Sequence, residues 1–209
     1  MLRNLIFDFG GVLLDIEMQR SYDALAKLTG KKLMYPDLPK EFSDIVFRFE
    51  TGEYSVENFI WHIQHHCPEP KPQGLDVIQA WNAMLLGWDA RKFDFLLQLR
   101  QKYKVFLLSN TNALHLDWVH KDLKKNHGIP DFESRFFDKT YYSFEVGLHK
   151  PDPAIYQRVL RDAALDPDET VFIDDSLVNV QSAAALGIHV YHHDPKKDLI
   201  AIFEKHGWL

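Results

Sequence analysis

RNLIFDFGGVLLDIE, residues Arg3 to Glu17, begins as an apolar run, meets a carboxylate at Asp8, turns on two glycines and resumes. Leu5, Ile6 and Phe7 are continuous rather than alternating, the pattern of a parallel-sheet strand covered on both faces. Asp8 is therefore expected at the carboxyl end of that strand. Gly10 and Gly11 suit a tight turn or a close approach of backbone to a ligand. Taken alone, Asp-x-Gly-Gly is more often a capped turn than a site, so its meaning depends on what the rest of the chain sets beside it.

From Met18 to about Leu85 the periodicity is helical only. Tyr22, Leu25 and Leu28 share one face of a first helix, Phe42, Ile45, Val46 and Phe49 a second, and Val56, Phe59, Ile60 and Ile63 a third. Ser55 is the expected N-cap of the third, and PEPKPQG at 68–74 breaks the chain before a fourth. Beyond that point strands and helices alternate. The strands are KVFLLS, DKTYYS, TVFIDD and HVYHH; the helices run from about Ala90, from about Asn112, from Asp152-Pro153 and from Ser176 to Gly187, and a last one ends the chain. Such alternation implies a parallel sheet with helices on both faces. The expected division is an α/β core of residues 1–15 and 86–209 with a helical cap of residues 16–85 inserted after the first strand.

The totals set limits. The 209 residues are 46% hydrophobic and 26% charged, ordinary for a globular protein, and the net charge of −6 with no basic block offers no general attraction to nucleic acid or to an anionic membrane. Cys67 is the single cysteine, which rules out an intrachain disulfide and suits a reducing, cytoplasmic compartment. The first apolar run is too short for a signal peptide core, and nothing approaches a membrane span.

In a sheet of this kind ligands sit beyond the carboxyl ends of the strands. The first strand ends in Asp8, the second in Ser109-Asn110-Thr111 and the fourth in Asp174-Asp175, so three polar endings share one rim. Adjacent carboxylates repel unless a cation or hydrogen-bond donors lie between them. Asp174 with Asp8 and one or two backbone carbonyls would make the all-oxygen shell that Mg²⁺ prefers, while Asp175 would also cap the helix starting near Ser176. Ser109, in LLSNTN, places a hydroxyl beside a run of backbone N–H groups at a helix start, a ready anion site; an ordinary helix cap is the plainer alternative. Lys150 stands just before a Pro-Asp-Pro helix start, where a single lysine is commonly just an exposed loop residue. His62, His65 and His66 include an i, i+4 pair, but no further ligand has readable spacing, and they are taken as helical-block surface. Trp61, Trp81 and Trp88 are expected to pack helices of the block, with a place in a sugar pocket as the alternative for one of them.

In its order of Asp, Ser, Lys and paired Asp, the chain resembles the haloacid dehalogenase superfamily over essentially its whole length, helical cap included. FETGEYSVENF, LLSNTN, GLHKPDPAIYQRVL and VFIDDSLVNVQSAAALGI bring it closest to the bacterial sugar-phosphate phosphatases of the glucose 1-phosphate type. The resemblance implies a Rossmann-like core and an Mg²⁺-dependent phosphatase of a small phosphorylated metabolite. In it Asp8 would attack phosphorus to form an aspartyl-phosphate, and Lys150 would neutralise Asp8 and a phosphate oxygen. Ser109 and the Asn110 N–H would hold the other oxygens. Asp8, Asp174 and the Gly10 carbonyl would bind the metal, Asp175 would orient it, and Asn179 would support that loop or else be a surface polar residue. Asp15 and Arg20 resemble positions near the substrate, or else form a helix-start charge pair. Gly10 departs from the pattern, because most superfamily phosphatases carry there a second aspartate for general acid–base catalysis, an effect of roughly 10²–10⁴-fold. Its absence suggests a substrate with a good leaving group. Two other readings stand beside this one: a metal-independent haloacid dehalogenase, and a non-catalytic phosphate-binding protein.

Overall fold

The computed structural model describes residues 2–209. At its centre is β1 (Asn4–Phe7), buried at every position. Outside it the chain forms β2 (Leu14–Ile16), four helices α1 (Met18–Thr29), α2 (Lys40–Glu50), α3 (Val56–His65) and α4 (Gly74–Asn82), and β3 (Leu85–Trp88). Then come α5 (Arg91–Leu99), β4 (Lys104–Ser109), α6 (Ala113–Asp122), short α7 (Phe132–Phe136), β5 (Lys139–Tyr142) and short α8 (Ser143–Val146). The chain closes with α9 (Pro153–Asp162), β6 (Thr170–Asp174), α10 (Leu177–Ala184), β7 (His189–His192) and α11 (Leu199–Lys205).

Five strands make one parallel sheet in the order β5-β4-β1-β6-β7. The chain moves outward from β1 through β4 to β5, then crosses back to β6 and β7, so strand order reverses at β1, and the ligand crevice of such a sheet opens beyond its carboxyl end. Phe7 is level with Leu107 and Ile173, which brings Asp8, Ser109 and Asp174 out on the same edge. Successive side chains go to opposite faces. Leu5 and Phe7 join Leu107, Ile173, Phe95 and Phe203 in one core layer, whereas Ile6 joins Phe106, Phe172, Ile155 and Val180 in the other. Covered on both sides, β1 has no solvent face on which polar residues would alternate.

The four inserted helices enclose a core of their own, with Tyr22, Phe42, Phe49, Phe59 and Trp81 at its centre. Ser55 caps α3 by accepting from Asn58 N–H at 3.2 Å, and Gln73 and Asp76 form a reciprocal capping box at the start of α4. On either side of this block, β2 and β3 pair antiparallel, Leu14 opposite Trp88, with a register shift between Asp15 and Ile16. The ribbon was not expected from the sequence, because strands of three and four residues are too short to show alternation. A buried polar contact ties the block to the sheet domain: Trp81 Nε1 donates to Asn112 Oδ1 at 3.2 Å, and the His115 ring stacks on Trp81 with centroids 5.0 Å apart. Among the described residues no helix is long and apolar enough to cross a membrane.

Candidate active site

Asp8 leaves β1 still tied to the sheet, its N–H donating to Ile173 O at 2.8 Å. Its Oδ1 accepts from Phe9 N–H at 2.7 Å and lies 2.7 Å from Lys150 Nζ. Among the described residues no donor reaches Asp8 Oδ2, which leaves that oxygen free to attack or to ligate. Lys150 is 1% exposed and fully satisfied: besides Asp8, its ammonium donates to Asp174 Oδ2 at 2.8 Å and to Leu108 O at 2.9 Å, one proton to each acceptor. A lysine that sequence alone would place on an exposed loop is thus buried among the strand ends.

Asp174 is held from the other side. Ser176 N–H donates to its Oδ1 at 2.7 Å, and Asn179 Nδ2 lies 3.1 Å from both oxygens. The expectation that Asp175 caps the following helix is therefore corrected: α10 has no side-chain cap, and the N–H of Ser176 goes to Asp174 instead. Asp175 lies against Gly11. A β-carbon on Gly11 would strike that carboxylate, and Gly11 has φ +76°, so the position requires glycine for both space and backbone conformation. Gly10 lies outside the left-handed region, and a β-carbon there would meet only the flexible end of Ile16, with Cδ1 at 2.7 Å.

One oxygen each from Asp8, Asp174 and Asp175 lies within 4.8 Å of the others, the sole such acidic or histidine cluster among the described residues. Three carboxylates against one ammonium leave two negative charges uncompensated in a buried site. Their mutual repulsion acts on each carboxyl. Burial, opposed by Lys150 and reinforced by Asp174 and Asp175, pushes Asp8 up to about 8. Burial and the charge of Asp174 raise Asp175 as well. Burial by itself would discharge Lys150, but the attraction of Asp8 and Asp174 outweighs it and raises the lysine. An all-oxygen donor set with an excess of two negative charges fits a hard divalent cation, Mg²⁺ above all.

Ser109 is 2% exposed at the end of β4. The amide side chain of Asn110 clamps the loop before α9: Lys150 N–H donates to its Oδ1, and its Nδ2 donates to Lys150 O, both at 2.9 Å. Its backbone N–H has no protein acceptor among the described residues. Beside these groups lies a cavity of about 70 Å³, lined by Gly10, Ser109 and Asn110 on the sheet side and by Met18, Glu50 and Met84 on the helical side.

Other candidates fall away from this point. Asp15 pairs with the largely buried Lys92 at 3.3 Å, and Arg20 with Glu17 at 2.6 Å in an exposed pair. His62 stacks on Tyr54 while His66 lies near Lys31 and Glu41. Trp81 is buried in the helical core, Trp88 packs on Phe9, and Trp61 is exposed. Sequence reasoning passed over Glu50 and His149, which meet at 2.9 Å across the two halves of the molecule. Their one signal was position: Glu50 lies in FETGEYS and His149 immediately precedes Lys150.

Residues 2–187 match the family model of haloacid dehalogenase-like hydrolases. The chain is 32% identical to a D-ribitol-5-phosphate phosphatase of Bacteroides thetaiotaomicron over 199 residues, 95% of each chain. Among solved structures it is similar to the HAD family enzyme bt-2542 of the same organism, in complex with magnesium and inorganic phosphate, with 33% identity, TM-score 0.84 and coverage of 97% and 100%. A HAD-like family hydrolase from Porphyromonas gingivalis gives 30% identity, TM-score 0.86 and coverage of 99% and 98%.

Proposed function

The chain belongs to the haloacid dehalogenase-like hydrolase family, and we propose which of its residues do the chemistry and on what substrate. It is an Mg²⁺-dependent phosphatase of small phosphorylated metabolites. The observation that carries the assignment of roles is Asp8, one oxygen held by Lys150 and the other without a donor, at the mouth of the sheet beside two further aspartates.

Asp8 Oδ2 attacks phosphorus, the bond from phosphorus to the alcohol oxygen breaks, and an aspartyl-phosphate remains; water then attacks phosphorus and releases Asp8. Lys150 orients Asp8 and favours its ionised form against the effect of burial, as the cation would also do. The Ser109 hydroxyl and the Asn110 N–H bind phosphoryl oxygens, while Asn179 and Ser176 N–H fix Asp174. Asp8, Asp174 and the Gly10 carbonyl, with Asp175 behind them, would hold Mg²⁺, which supplies the positive charge that lets carboxylate and phosphate meet. The helical block, residues 16–85, acts as a cap over the core of residues 1–15 and 86–209, closing the cavity above the phosphate.

The proposed substrate is a phosphorylated polyol or sugar. The similarity to a D-ribitol-5-phosphate phosphatase supports a terminal phosphate on a primary alcohol, a poorer leaving group than the anomeric phosphate suggested by Gly10 alone. With a single buried cysteine the chain suits the cytoplasm. A panel of phosphorylated metabolites assayed with Mg²⁺ and with EDTA tests the reading. Phosphate release that EDTA abolishes supports it; EDTA-resistant halide release from 2-haloacids would favour a dehalogenase, and inactivity on every compound a binding protein.

A further inference from the structure

Glu50 ends α2 and reaches across to the sheet domain, where His149 Nε2 lies 2.9 Å from its Oε2. The direction of this hydrogen bond follows from the groups around Lys150. The backbone N–H of Lys150 donates to Asn110 Oδ1, which fixes the amide so that Nδ2 points to the other side. That Nδ2 lies 3.1 Å from His149 Nδ1, so Nδ1 is an acceptor and the imidazole proton sits on Nε2. His149 therefore donates to Glu50 Oε2.

This carboxylate has little else to stabilise it. Its side chain is 15% exposed, no Lys or Arg pairs with it, and no donor reaches its Oε1 among the described residues. Its charge is felt inside the helical core, where burial and then Glu50 raise Tyr22. Glu50 also lines the cavity beside Gly10, Ser109 and Asn110, whose other titratable wall, His115, is buried and neutral. A partly desolvated carboxylate with a free oxygen requires hydrogen-bond donors, and it repels any second anion brought into the same low-dielectric space.

We propose that Glu50 is a specificity-determining residue of this site: Oε1 accepts from hydroxyl groups of the substrate beyond its phosphate, and the charge turns away substrates whose remainder is anionic. The enzyme thereby selects neutral polyhydroxylated monophosphates over phosphorylated carboxylic acids and bisphosphates. The inference rests on the phosphatase reading and names the substrate class of the same site. A pocket built to hydrogen-bond a substrate hydroxyl discriminates far more strongly than one that only fits its shape.

The test compares kcat/KM with Mg²⁺ on ribitol 5-phosphate, 3-phosphoglycerate and p-nitrophenyl phosphate for the wild type, Glu50→Gln and Glu50→Asp. The wild type is expected to prefer ribitol 5-phosphate to 3-phosphoglycerate by about 100-fold or more. Glu50→Gln, nearly isosteric, should shrink that ratio at least about ten-fold, partly through a gain on 3-phosphoglycerate. Glu50→Asp keeps the charge and should keep the rejection of 3-phosphoglycerate. A ratio unchanged in Glu50→Gln would overturn the proposal. So would a parallel fall on all three substrates, the result if Glu50 only latches α2 onto the loop before Lys150. A wild type that releases phosphate from none of the three would remove the phosphatase reading itself, and the inference with it.

Discussion

The ammonium of Lys150 stands 2.8 Å from Asp174 and 2.7 Å from Asp8, and these are the charges that its burial was built to meet. Removing one partner of a buried ionic set strands the others, a loss of about 3–5 kcal/mol where nothing replaces it. Lys150→Met should therefore lower the melting temperature sharply in EDTA, and Mg²⁺ should recover more stability in the variant than in the wild type. Thermal denaturation with and without Mg²⁺ checks this. An equal response to Mg²⁺ in both proteins would mean that the lysine and the cation do not share the same carboxylates.

The two glycines after Asp8 should behave differently. Gly11→Ala must both take a left-handed residue, a cost of about 1–2 kcal/mol, and displace Asp175. Calorimetric titration should show weakened Mg²⁺ binding. Gly10→Ala needs only a rotation of Ile16 and should bind Mg²⁺ as the wild type does.

The tolerance at Gly10 makes the missing acid testable. In wild-type enzyme kcat/KM should rise steeply as the leaving alcohol becomes more acidic, because no carboxylate at Gly10 protonates it. Gly10→Asp, combined with Ile16→Val to remove the Cδ1 atom in the way, should flatten that dependence. A series of aryl and alkyl phosphates, measured where chemistry limits the rate, supplies the slope. A shallow slope in the wild type would show that another group already delivers the proton.

His115 gives a pH dependence of stability. Burial depresses it from 6.5 to about 4, the charge of Glu50 and the Trp81 carbonyl opposing. The unfolded chain thus binds a proton that the folded one refuses. The stability associated with the neutral ring is complete above pH 6.5 and drains away as the pH falls toward 4. Near pH 5 the loss should be about 2 kcal/mol. Urea midpoints at pH 7 and pH 5 measure it, and His115→Gln should lose less on acidification than the wild type does.

The sheet was legible because its strands are buried on both faces and so read as unbroken apolar runs ending in polar residues: IF before Asp8, FLL before Ser109, VFI before Asp174. Convergence of Asp8, Ser109 and Asp174 followed from where those strands stop, whereas Lys150, which ends no strand, was placed with them only by the family resemblance. What the sequence hid is what depends on packing between distant segments. The β2–β3 ribbon is too short to carry a period, and the contact of Trp81 with Asn112 joins residues far apart in the chain. The pairing of Glu50 with His149 is likewise tertiary. None of these partners is visible until the helical block is folded down on the strand ends.

The role of Asp8 is tested most directly by trapping the phosphoryl group it is proposed to accept. Wild-type enzyme mixed with an excess of a substrate it hydrolyses, and quenched in acid within a turnover, should gain the mass of one phosphoryl group on the peptide containing Asp8. Asp8→Asn should stay folded, gain no such mass and release no phosphate. A phosphoryl group mapped to another residue, or turnover by Asp8→Asn at the wild-type rate, would contradict the mechanism.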